Sequence, residues 1–421
     1  MFRTRLLAAA TTAVTASLLP FVPGVAAQAT TGTGTAIAPV TSAQMPAGGV
    51  FSPGTAWRKD VRSAPVHENS PAMVQNVTDQ VAKYYGGVAA FNAYSYSTSV
   101  YTVPANQPRV DVRWSNCQGW SWTPKDLLGP GGQFNQVPIP ADAVPAKGTD
   151  SQLTIYSPST DQLWEFWIAK QVDGQWSACW GGRIDGVSHS QGQFPGTFGA
   201  SASGLAIAGG TIGIKDVQSG VIDHAIALHL PAPGTHTEVS WPATRSDGFD
   251  TSAGRVPEGT RLRLDPSLNV DALALHPIAK MVAKAAQKYG FVVTDTAGCV
   301  AVIAESPAAA IAATGVDPWK ALMGATPDYA VMKNFPWAKL QALPADHGRA
   351  EAEAAAVQGA TYVSDTAFRT VRNGWGPVER DRSNGGQAAG DGKTLTIGTT
   401  TYAKGLGVHA ASEVVVPVGT A

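Results

Sequence analysis

Charged side chains are scarce in this sequence: Asp, Glu, Lys and Arg make up 14% of its 421 residues, against about 25% in an average soluble protein. Hydrophobic residues are frequent, at 44%. This combination excludes an intrinsically disordered chain and a charge-rich coiled coil. The 30 basic residues balance 31 acidic ones, and no basic run occurs. The sequence therefore lacks the positive face of a nucleic-acid-binding protein, and we expect no nucleic-acid partner.

The sequence also lacks the usual motifs of nucleotide, metal and serine-nucleophile sites. The glycine-rich stretches 199–204 and 208–210 are not followed by the Lys-Ser/Thr pair of a phosphate-binding loop. Ser203 has no nucleophile-elbow context, which weakens a peptidase interpretation. The eight histidines are dispersed and show no metal-ligand spacing. We expect no cofactor and no metal.

The N-terminal 27 residues have the layout of a secretory signal peptide. Arg3 and Arg5 form a short basic end, an apolar stretch follows, and small residues end it at Ala26-Ala27. A membrane anchor is the alternative, but threonine and proline interrupt the stretch. No later stretch is apolar for long enough to span a bilayer. We therefore expect a secreted, extracellular protein with no membrane partner once the signal is removed.

Only three cysteines occur. Cys117 and Cys179 both lie in tryptophan-rich, strand-like segments, and we expect them to form a disulfide in an oxidising compartment. Cys299 lies in an apolar run and is interpreted as a buried free thiol. No neighbouring charge stabilises its thiolate, so a catalytic role is not expected.

Composition divides the rest of the chain into several parts. Residues 28–50 are rich in Thr, Gly, Ala and Pro and have no ionisable side chain, which predicts a flexible leader. Glu351, Glu353 and an alanine run mark a linker further on. The predicted parts are the leader at 28–50, a main domain at 51–345 with a helical part near 271–345, the linker at 346–360 and a further unit at 361–421.

The main domain is predicted to be rich in short strands. Glycine (45) and proline (29) are frequent. Apolar and polar residues alternate at 109–114 and 260–264, and strand-like runs occur at 162–170 and 221–230. A parallel α/β sheet would need helices between the strands, and few are indicated. We therefore predict a mainly-β fold, in which a β-sandwich or jelly-roll-like main domain carries a few helices.

The last 60 or so residues carry short motifs in a specific order. They are Tyr362-Val363-Ser364-Asp365, Asn373-Gly374-Trp375-Gly376-Pro377-Val378-Glu379-Arg380-Asp381, Ser383-Asn384-Gly385, Gly390-Asp391-Gly392 and Tyr402-Ala403-Lys404-Gly405-Leu406-Gly407-Val408-His409-Ala410. This order resembles the start of an NPCBM module, a carbohydrate-binding module found beside family 98 glycoside hydrolases. The resemblance stops at Ala421, before the later strands of such a module. It implies a partial β-sandwich at 361–421 that attaches an enzyme to glycan.

Two residues of this segment are candidate carbohydrate contacts. Trp375 can stack on a sugar, because the C–H face of a pyranose packs on a flat aromatic ring. A core position for this indole is the alternative. His409 ends a glycine-rich stretch, where a hydrogen-bonded structural histidine is the competing interpretation.

In the main domain, the run at 162–168 offers a candidate catalytic carboxyl group. Alternation puts Glu165 and Trp167 on one face, opposite a core-like face with Trp164 and Phe166. Aromatic neighbours would partly desolvate Glu165, which raises a carboxyl pKa and suits a general acid. Trp167 is a candidate sugar contact. Pairing of Glu165 with an arginine across the sheet is the structural alternative.

The glycine-flexed segment 181–190 holds three further candidates, Arg183, Asp185 and His189. Glycoside hydrolysis needs two carboxyl groups on opposite sides of one bond, and Asp185 is the candidate partner of Glu165. Cleavage by β-elimination would instead need a cation and a base, the roles of Arg183 and His189. A capped turn explains the same residues without chemistry.

A third stretch, 220–229, puts Asp223 and His229 on a face whose other residues are small alanines. We expect room for a ligand on that face, although the two residues are too far apart along one strand to touch. His224, on the opposite face between isoleucines, is interpreted as a core residue.

Together these features predict a secreted carbohydrate-binding protein, expected to be a monomer, whose main domain acts on polysaccharide as a glycoside hydrolase or lyase. The alternative is a non-catalytic, lectin-like or adhesin protein. Geometry distinguishes these classes, because two carboxyl groups about 5 to 9.5 Å apart in an aromatic cleft favour a glycosidase. An Arg/His/Tyr cluster favours a lyase, and a tryptophan platform without carboxyls favours binding alone. In every case the expected partner is a polysaccharide or glycan.

Overall fold

The computed structural model describes residues 42–359, 363–366, 368–397 and 400–416. The predicted signal peptide and the first part of the predicted leader lie outside the described residues. Within the described ranges, no helix is long and apolar enough to cross a membrane.

The described residues form seven α-helices and nineteen strands. The helices are α1 (Ser70–Lys83), α2 (Ile207–Gly210), α3 (Ile214–Ser219), α4 (Pro277–Lys288), α5 (Ala308–Thr314), α6 (Pro318–Met323) and α7 (Arg349–Gly359). The main-domain strands are β1 (Ala90–Asn92), β2 (Thr98–Thr102), β3 (Arg113–Trp114), β4 (Gln152–Ser157), β5 (Gln162–Trp167), β6 (Lys170–Val172), β7 (Gln175–Ala178), β8 (Trp180–Asp185), β9 (Ile226–Leu230), β10 (Arg261–Leu264), β11 (Phe291–Thr296), β12 (Ala301–Ile303) and β13 (Leu340–Ala342). The C-terminal strands are β14 (Arg369–Arg372), β15 (Glu379–Arg380), β16 (Leu395–Ile397), β17 (Thr400–Tyr402), β18 (Leu406–Gly407) and β19 (Glu413–Val415).

Helices α1 and α4 each carry a proline in the first turn, where the N–H that proline lacks is not needed. At the start of α4, the His276 side chain accepts a hydrogen bond from the N–H of Ile278 (3.2 Å). Apolar residues at helical spacing are buried, among them Val74 and Val77 in α1 and Val282 in α4. These buried faces pack α1 against β13 and α4 against β10.

The largest sheet of the described residues has six strands, in the order β1-β12-β9-β11-β10-β13. Alternate residues of β11 enter different cores. Phe291 and Val293 face the core that contains the buried side of α4, and Val292 faces the opposite core. Since both faces of this sheet are covered, the first half of β11 is apolar throughout.

A four-stranded sheet, β2-β4-β5-β8, shares the second of these cores with the six-stranded sheet. Leu163 of β5 and Val292 of β11 both belong to that core. Trp164 and Phe166 of β5 point the other way, into a core shared with the three-stranded sheet β3-β7-β6. The core-like face predicted for Trp164 and Phe166 is therefore confirmed.

The mainly-β prediction is confirmed, but the sheets are mixed and not purely antiparallel. The parallel pairs are β1 with β12, β2 with β4, β3 with β7, and β9 with β11. Period-two alternation shows that a segment is extended, and it is the same for parallel and antiparallel neighbours. Strand direction therefore could not be derived from the sequence pattern.

Folded sequence is present before the predicted domain start at Phe51. Met45 is fully buried, and its N–H donates a hydrogen bond to Oε1 of Glu305 (2.7 Å). Ser42 forms a bridge with strand β2. Residues 42–50, which composition assigns to the leader, therefore pack against the main domain. Burial of their apolar side chains in its core favours this arrangement.

The predicted linker contains helix α7, in which the Glu351 carboxylate lies 3.4 Å from Nζ of Lys59. Beyond it, the described residues form three antiparallel strand pairs, β14 with β19, β15 with β18 and β16 with β17. Asp381 accepts hydrogen bonds from Nζ of Lys404 (3.1 Å) and the N–H of Gly405 (3.1 Å). This contact joins two of the motifs that carry the NPCBM resemblance.

Candidate functional site

A cavity of about 910 Å³ opens at the ends of β9 and β11. These strands are parallel neighbours, so their C-terminal ends and the loops that follow meet at the same edge of the sheet. His229 of β9 pairs with Asp295 of β11, and both line the cavity. Residues from the β8–α2 loop and the β9–β10 loop also line it.

A bulge in β11 determines the direction in which Asp295 points. Val293 pairs with Leu228, whereas Asp295 pairs with His229, the next residue of β9. Regular alternation would put Asp295 on the same face as Val293. The extra residue, Thr294, reverses the alternation and turns Asp295 toward the cavity.

Three carboxyl groups meet beside this strand end. One oxygen each of Asp247, Glu258 and Asp295 lie within 4.8 Å of one another. Asp247 is exposed, and the hydroxyl of Thr296 donates a hydrogen bond to its Oδ1 (2.6 Å). Asp295 accepts hydrogen bonds from the N–H groups of Ala202 (3.2 Å) and Thr296 (3.0 Å). Backbone and hydroxyl donors therefore orient the two carboxyl groups that reach the cavity.

Burial and mutual repulsion raise the pKa of two members of this cluster. Desolvation, followed by repulsion from Asp247, raises the pKa of Asp295 to about 7. Desolvation, followed by repulsion from the two aspartates, raises the pKa of Glu258 to about 10. Glu258 therefore carries its proton at neutral pH, and Asp295 is divided between its two forms.

Glu258 lies behind the two aspartates with no exposed surface. Within the described part of the chain, no residue donates a hydrogen bond to either of its carboxyl oxygens. A buried acceptor left unpaired costs about 1–3 kcal/mol, and more when it is charged. Protonation removes the charge and lets the carboxyl group donate to Asp247. Glu258 therefore acts as a neutral acid that supports the exposed aspartate.

Arg245 is the one cationic side chain among the described residues that line the cavity. Its Nη2 donates hydrogen bonds to the carbonyl oxygens of Gly199 (3.2 Å) and Ser201 (2.6 Å). Burial lowers its pKa, and the three clustered carboxyl groups oppose that shift. Arg245 therefore anchors the β8–α2 loop beside an otherwise acidic cluster.

Three tryptophans, Trp120, Trp167 and Trp180, also line the cavity. Trp120 packs edge-on against Trp180, with ring centroids 4.7 Å apart, and stacks on Trp122 at 4.8 Å. The indole N–H of Trp167 donates a hydrogen bond to Oδ1 of Asp150 (3.1 Å). The predicted sugar contact Trp167 thus lies in the same cavity as the carboxyl cluster.

The disulfide between Cys117 and Cys179 holds two of these indoles together. Cys179 immediately precedes Trp180, and Cys117 lies on the loop that carries Trp120. Asn116 fixes the same loop, since its side chain accepts a hydrogen bond from the N–H of Trp120 (2.8 Å) and donates one to its carbonyl oxygen (2.9 Å). The pairing is the one that the sequence predicts, and its position ties it to the shape of the cavity.

Gly199 brings the β8–α2 loop close to strand β8. Its N–H donates a hydrogen bond to the carbonyl of Gly181 (3.0 Å), and its φ of +105° is a conformation that residues with side chains rarely adopt. A Cβ at this position would lie 2.6 Å from the ring of Phe194, and one at Gly182 would lie 2.7 Å from the same ring. The loop lies against β8 because both positions are glycine.

The fold divides the predicted ligand face of residues 220–229. His229 lies in the cavity, and burial lowers its pKa to about 4, so the ring is neutral at pH 7. Asp223 precedes β9, does not line the cavity and forms an ion pair with Arg58. His224 is buried, as the sequence predicts.

Glu165 is fully buried and does not line the cavity. Its carboxyl oxygens accept hydrogen bonds from the N–H groups of Ile207 (2.9 Å) and Ala208 (2.8 Å) at the start of α2. Burial raises its pKa to about 7, the direction that the sequence predicts. Because both oxygens are used on backbone donors and none reaches solvent, the surroundings of Glu165 support a structural role and not the catalytic one expected from the sequence.

The structure also keeps Asp185 apart from Glu165. On strand β8, Asp185 pairs with Gln162 at the other end of β5. Its carboxylate accepts hydrogen bonds from the amide of Gln162 (2.6 Å) and from Nε of Arg183 (3.0 Å). His189 is exposed in the loop after β8. Neither Asp185 nor Arg183 nor His189 lines the cavity, so the expected carboxyl pair and the expected cation–base pair do not form there.

In the C-terminal segment, Trp375 and His409 lie beside the same asparagine. Asn373 donates a hydrogen bond to the carbonyl of Trp375 (2.9 Å), and its Oδ1 accepts one from the N–H of His409 (2.8 Å). The Trp375 side chain is 49% exposed. An aromatic surface therefore remains open to a ligand next to an exposed histidine.

Sequence reasoning missed the clustered carboxyl groups. Asp247 and Glu258 each precede a glycine in a loop, and Asp295 follows an apolar run. Acidic residues beside glycine turns are common on protein surfaces, so this pattern alone did not mark a site. The available signal was an acidic residue at the end of a buried strand, where sheets often carry ligand sites.

Comparison with known proteins concerns the C-terminal segment. Residues 359–421 match the family model of the NPCBM/NEW2 domain, which confirms the predicted resemblance there. A protein of Renibacterium salmoninarum named as an endo-alpha-N-acetylgalactosaminidase is 56% identical over 61 residues, which cover 14% of this chain and 4% of that protein. The chain therefore spans a small part of this relative's length. No solved structure matches the chain.

Proposed function

We propose that the protein is an exported glycoside hydrolase that cleaves glycan in the main-domain cavity and binds glycan through its C-terminal segment. The observation that carries the proposal is the cluster of Asp247, Glu258 and Asp295 in a cavity lined by tryptophans. Carboxyl groups whose pKa values are pushed apart, beside aromatic surfaces, suit glycoside hydrolysis. The NPCBM/NEW2 match and the glycosidase name of one relative support glycan as the partner.

Asp295 fits the general acid. With a pKa of about 7, it keeps its proton in part of the population at neutral pH. Its oxygens are oriented by the N–H groups of Ala202 and Thr296. In the first step, it donates this proton to the glycosidic oxygen as the bond to the leaving sugar breaks.

Asp247 fits the nucleophile, because it is exposed and the hydroxyl of Thr296 fixes its Oδ1. The oxygens of the cluster lie within 4.8 Å, which is nearer to the spacing of about 5–5.5 Å in retaining enzymes than to about 6.5–9.5 Å in inverting ones. An oxygen of Asp247 attacks the anomeric carbon and forms a glycosyl-enzyme. In the second step, the carboxylate of Asp295 takes a proton from a water molecule, and the water oxygen attacks the anomeric carbon. The bond between the sugar and Asp247 then breaks, which releases the sugar.

The aromatic residues fit sugar contacts at two places. Trp120 and Trp167 line the cavity, are only partly buried and fit contacts to a bound glycan, and the buried Trp180 packs against Trp120. Trp375 and His409 are the proposed contacts of the C-terminal segment. Export follows from the signal-peptide layout of the sequence, and a monomer is the proposed state.

The test incubates the purified full chain with a polysaccharide panel and measures new reducing ends and unsaturated uronates. Hydrolysis produces reducing ends alone, and Asp295→Asn and Asp247→Asn each lower the rate by about 10²–10⁴. Asp185→Asn is the matched control, because this exposed carboxylate lies outside the cavity. A panel without reducing ends, or an equal loss in the control variant, overturns the proposal.

A non-catalytic, lectin-like protein is the second candidate. The stacked pair of Trp120 and Trp122, the latter half exposed, favours it because an aromatic platform binds sugar without chemistry. Retention on immobilised glycan without any product distinguishes this candidate. A lyase has less support, because Arg245 donates to backbone carbonyls and Arg183 lies outside the cavity.

A further inference from the structure

The charged residues that line the cavity are strongly unbalanced. Four aspartates face it, Asp150, Asp247, Asp295 and Asp328, against the single cation Arg245 among the described lining residues. They come from four separate parts of the chain, and two of them, Asp247 and Asp295, belong to the carboxyl cluster. A ligand that enters meets an excess of negative charge.

Arg245 offsets only part of this charge, since it supplies one positive charge against four aspartates. Its Nη2 donates hydrogen bonds to the carbonyl oxygens of Gly199 and Ser201. The same guanidinium lies close enough to the carboxyl cluster for all three groups to act on it. The neutral His229 supplies no second cation at pH 7.

The tryptophans do not discriminate by charge. Trp120, Trp167 and Trp180 line the cavity, and an indole surface packs on the C–H surface of a pyranose ring whether or not the sugar is charged. Selection among glycans must therefore come from the polar part of the lining. A carboxylate or sulfate on the sugar would enter beside several aspartates in a partly desolvated space, where like charges repel more strongly than in water.

We propose that the cavity takes glycans without carboxylate or sulfate groups and rejects their anionic counterparts. The proposal rests on the proposed function, because it names the substrate class of the same cavity. The specificity comes from repulsion by the aspartates, which outnumber the one cation, Arg245, among the described residues that line the cavity. This preference also distinguishes the cavity from a lyase site, in which a cation would neutralise the carboxylate of a uronate.

The experiment compares matched glycans on the full chain. Each neutral polysaccharide that is hydrolysed in the panel is tested beside its carboxymethylated form, with kcat/KM measured from new reducing ends. We expect the carboxymethylated form to react at least about tenfold more slowly at low ionic strength. Raising the salt concentration should reduce the difference, because the Debye length falls from about 30 Å at 0.01 M to about 3 Å at 1 M.

Variants of Asp328 test the cause, because this residue lines the cavity outside the carboxyl cluster. Asp328→Lys should reduce the preference for the neutral form by at least about threefold. Asp328→Asn, which keeps an acceptor for the N–H of Tyr329, should have a smaller effect in the same direction. Glu68→Lys makes the same charge change at an exposed position outside the cavity and should leave the preference unchanged.

The outcomes separate this inference from the proposed function. Equal kcat/KM for neutral and carboxymethylated forms, or hydrolysis of anionic glycans alone, overturns the charge selectivity and leaves hydrolysis in place. If no glycan is hydrolysed, the proposed function fails, and calorimetric binding of the same matched pairs decides the inference. In that case, affinity for the two forms that does not respond to Asp328→Lys overturns it.

Discussion

His229 and Asp295 face each other across the parallel strands β9 and β11, one residue before each strand ends. The bulge at Thr294 produces this pairing and directs the carboxyl group into the cavity. Burial moves the pKa of the histidine down and that of the aspartate up. The edge of the sheet therefore carries less charge at pH 7 than its residue types imply.

The rate of glycan hydrolysis is expected to fall as pH rises above 7. The reaction requires protonated Asp295, whose pKa is about 7. The protonated fraction then falls about tenfold for each further pH unit. Initial rates of reducing-end formation between pH 5 and pH 9 measure this profile. Asp185→Asn should follow the wild-type profile, and a rate that stays constant above pH 7 contradicts the role of Asp295 as acid.

Replacing Glu258 with glutamine is expected to flatten the pH dependence of stability. An unfolded glutamate loses its proton near pH 4.3 (about the model-peptide value), whereas Glu258 in the fold has a pKa of about 10. Between these values the native state binds the additional proton. The free energy of unfolding therefore falls as pH rises, by at most about 1.4 kcal/mol per pH unit. Glutamine keeps the shape of the neutral acid and removes this titration.

Urea unfolding at pH 5, 7 and 9 measures this effect. The wild type should lose stability across the series, and Glu258→Gln should lose less. Glu68→Gln, at an exposed position, is the control and should behave as the wild type. Identical slopes for the wild type and Glu258→Gln would show that the buried carboxyl group is not protonated in the native state.

Glu165→Gln is expected to reduce stability and to leave catalysis intact. Glutamine replaces one of the two oxygens that accept hydrogen bonds from Ile207 and Ala208 with an NH₂ group. One buried N–H then loses its acceptor, which lowers the free energy of unfolding by about 1–3 kcal/mol. Urea unfolding and kcat per folded molecule measure the two effects. A large loss of kcat without a loss of stability would restore Glu165 as a catalytic candidate.

Breaking the Cys117–Cys179 disulfide is expected to weaken both the fold and glycan binding. The bond closes a loop across a sequence separation of 62 residues, and its loss should cost about 2–5 kcal/mol. The loop that carries Trp120 is then released from Trp180. Thermal unfolding and glycan affinity of Cys117→Ser measure the effects. Glu68→Gln, at an exposed position outside the cavity, is the control and should retain both the stability and the affinity.

Trp375→Ala is expected to weaken retention on glycan without affecting hydrolysis of soluble substrate. The side chain is half exposed, so its loss disturbs little packing. Loss of one aromatic stacking contact costs about 0.5–1.5 kcal/mol, which corresponds to about two- to tenfold in affinity. Affinity electrophoresis in glycan-containing gels measures it. Tyr402→Ala, at 46% exposure in the same segment, is the matched control, and equal retention of both variants contradicts the role of Trp375.

The sequence was most informative where local pattern decides structure. The Trp164 and Phe166 face of β5 is buried as alternation requires. The disulfide could be predicted because Cys117 and Cys179 both lie in strand-like, tryptophan-rich segments. Each of these features depends on residues that are close in sequence or unique in chemistry.

The candidate site could not be predicted from local sequence patterns. Asp247, Glu258 and Asp295 meet only because β9 and β11 are parallel and a bulge reverses the last residues of β11. Neither strand direction nor a bulge leaves a mark on apolar alternation. Glu165 satisfied the local criteria for a catalytic acid, and burial raises its pKa in the fold. Only the position of α2 shows that its oxygens are used on backbone donors.

Gly199 and Gly182 both lie so close to Phe194 that neither position has room for a side chain. The side of the cavity where the β8–α2 loop lies against β8, here called the glycine side, can therefore tolerate few substitutions. On this glycine side, almost any replacement of Gly199 or Gly182 would separate the β8–α2 loop from β8. Trp120 and Trp122 instead occupy a surface loop that the disulfide holds at its base. Laboratory evolution toward a new sugar should therefore accumulate changes in the tryptophan loop and leave the glycine side untouched.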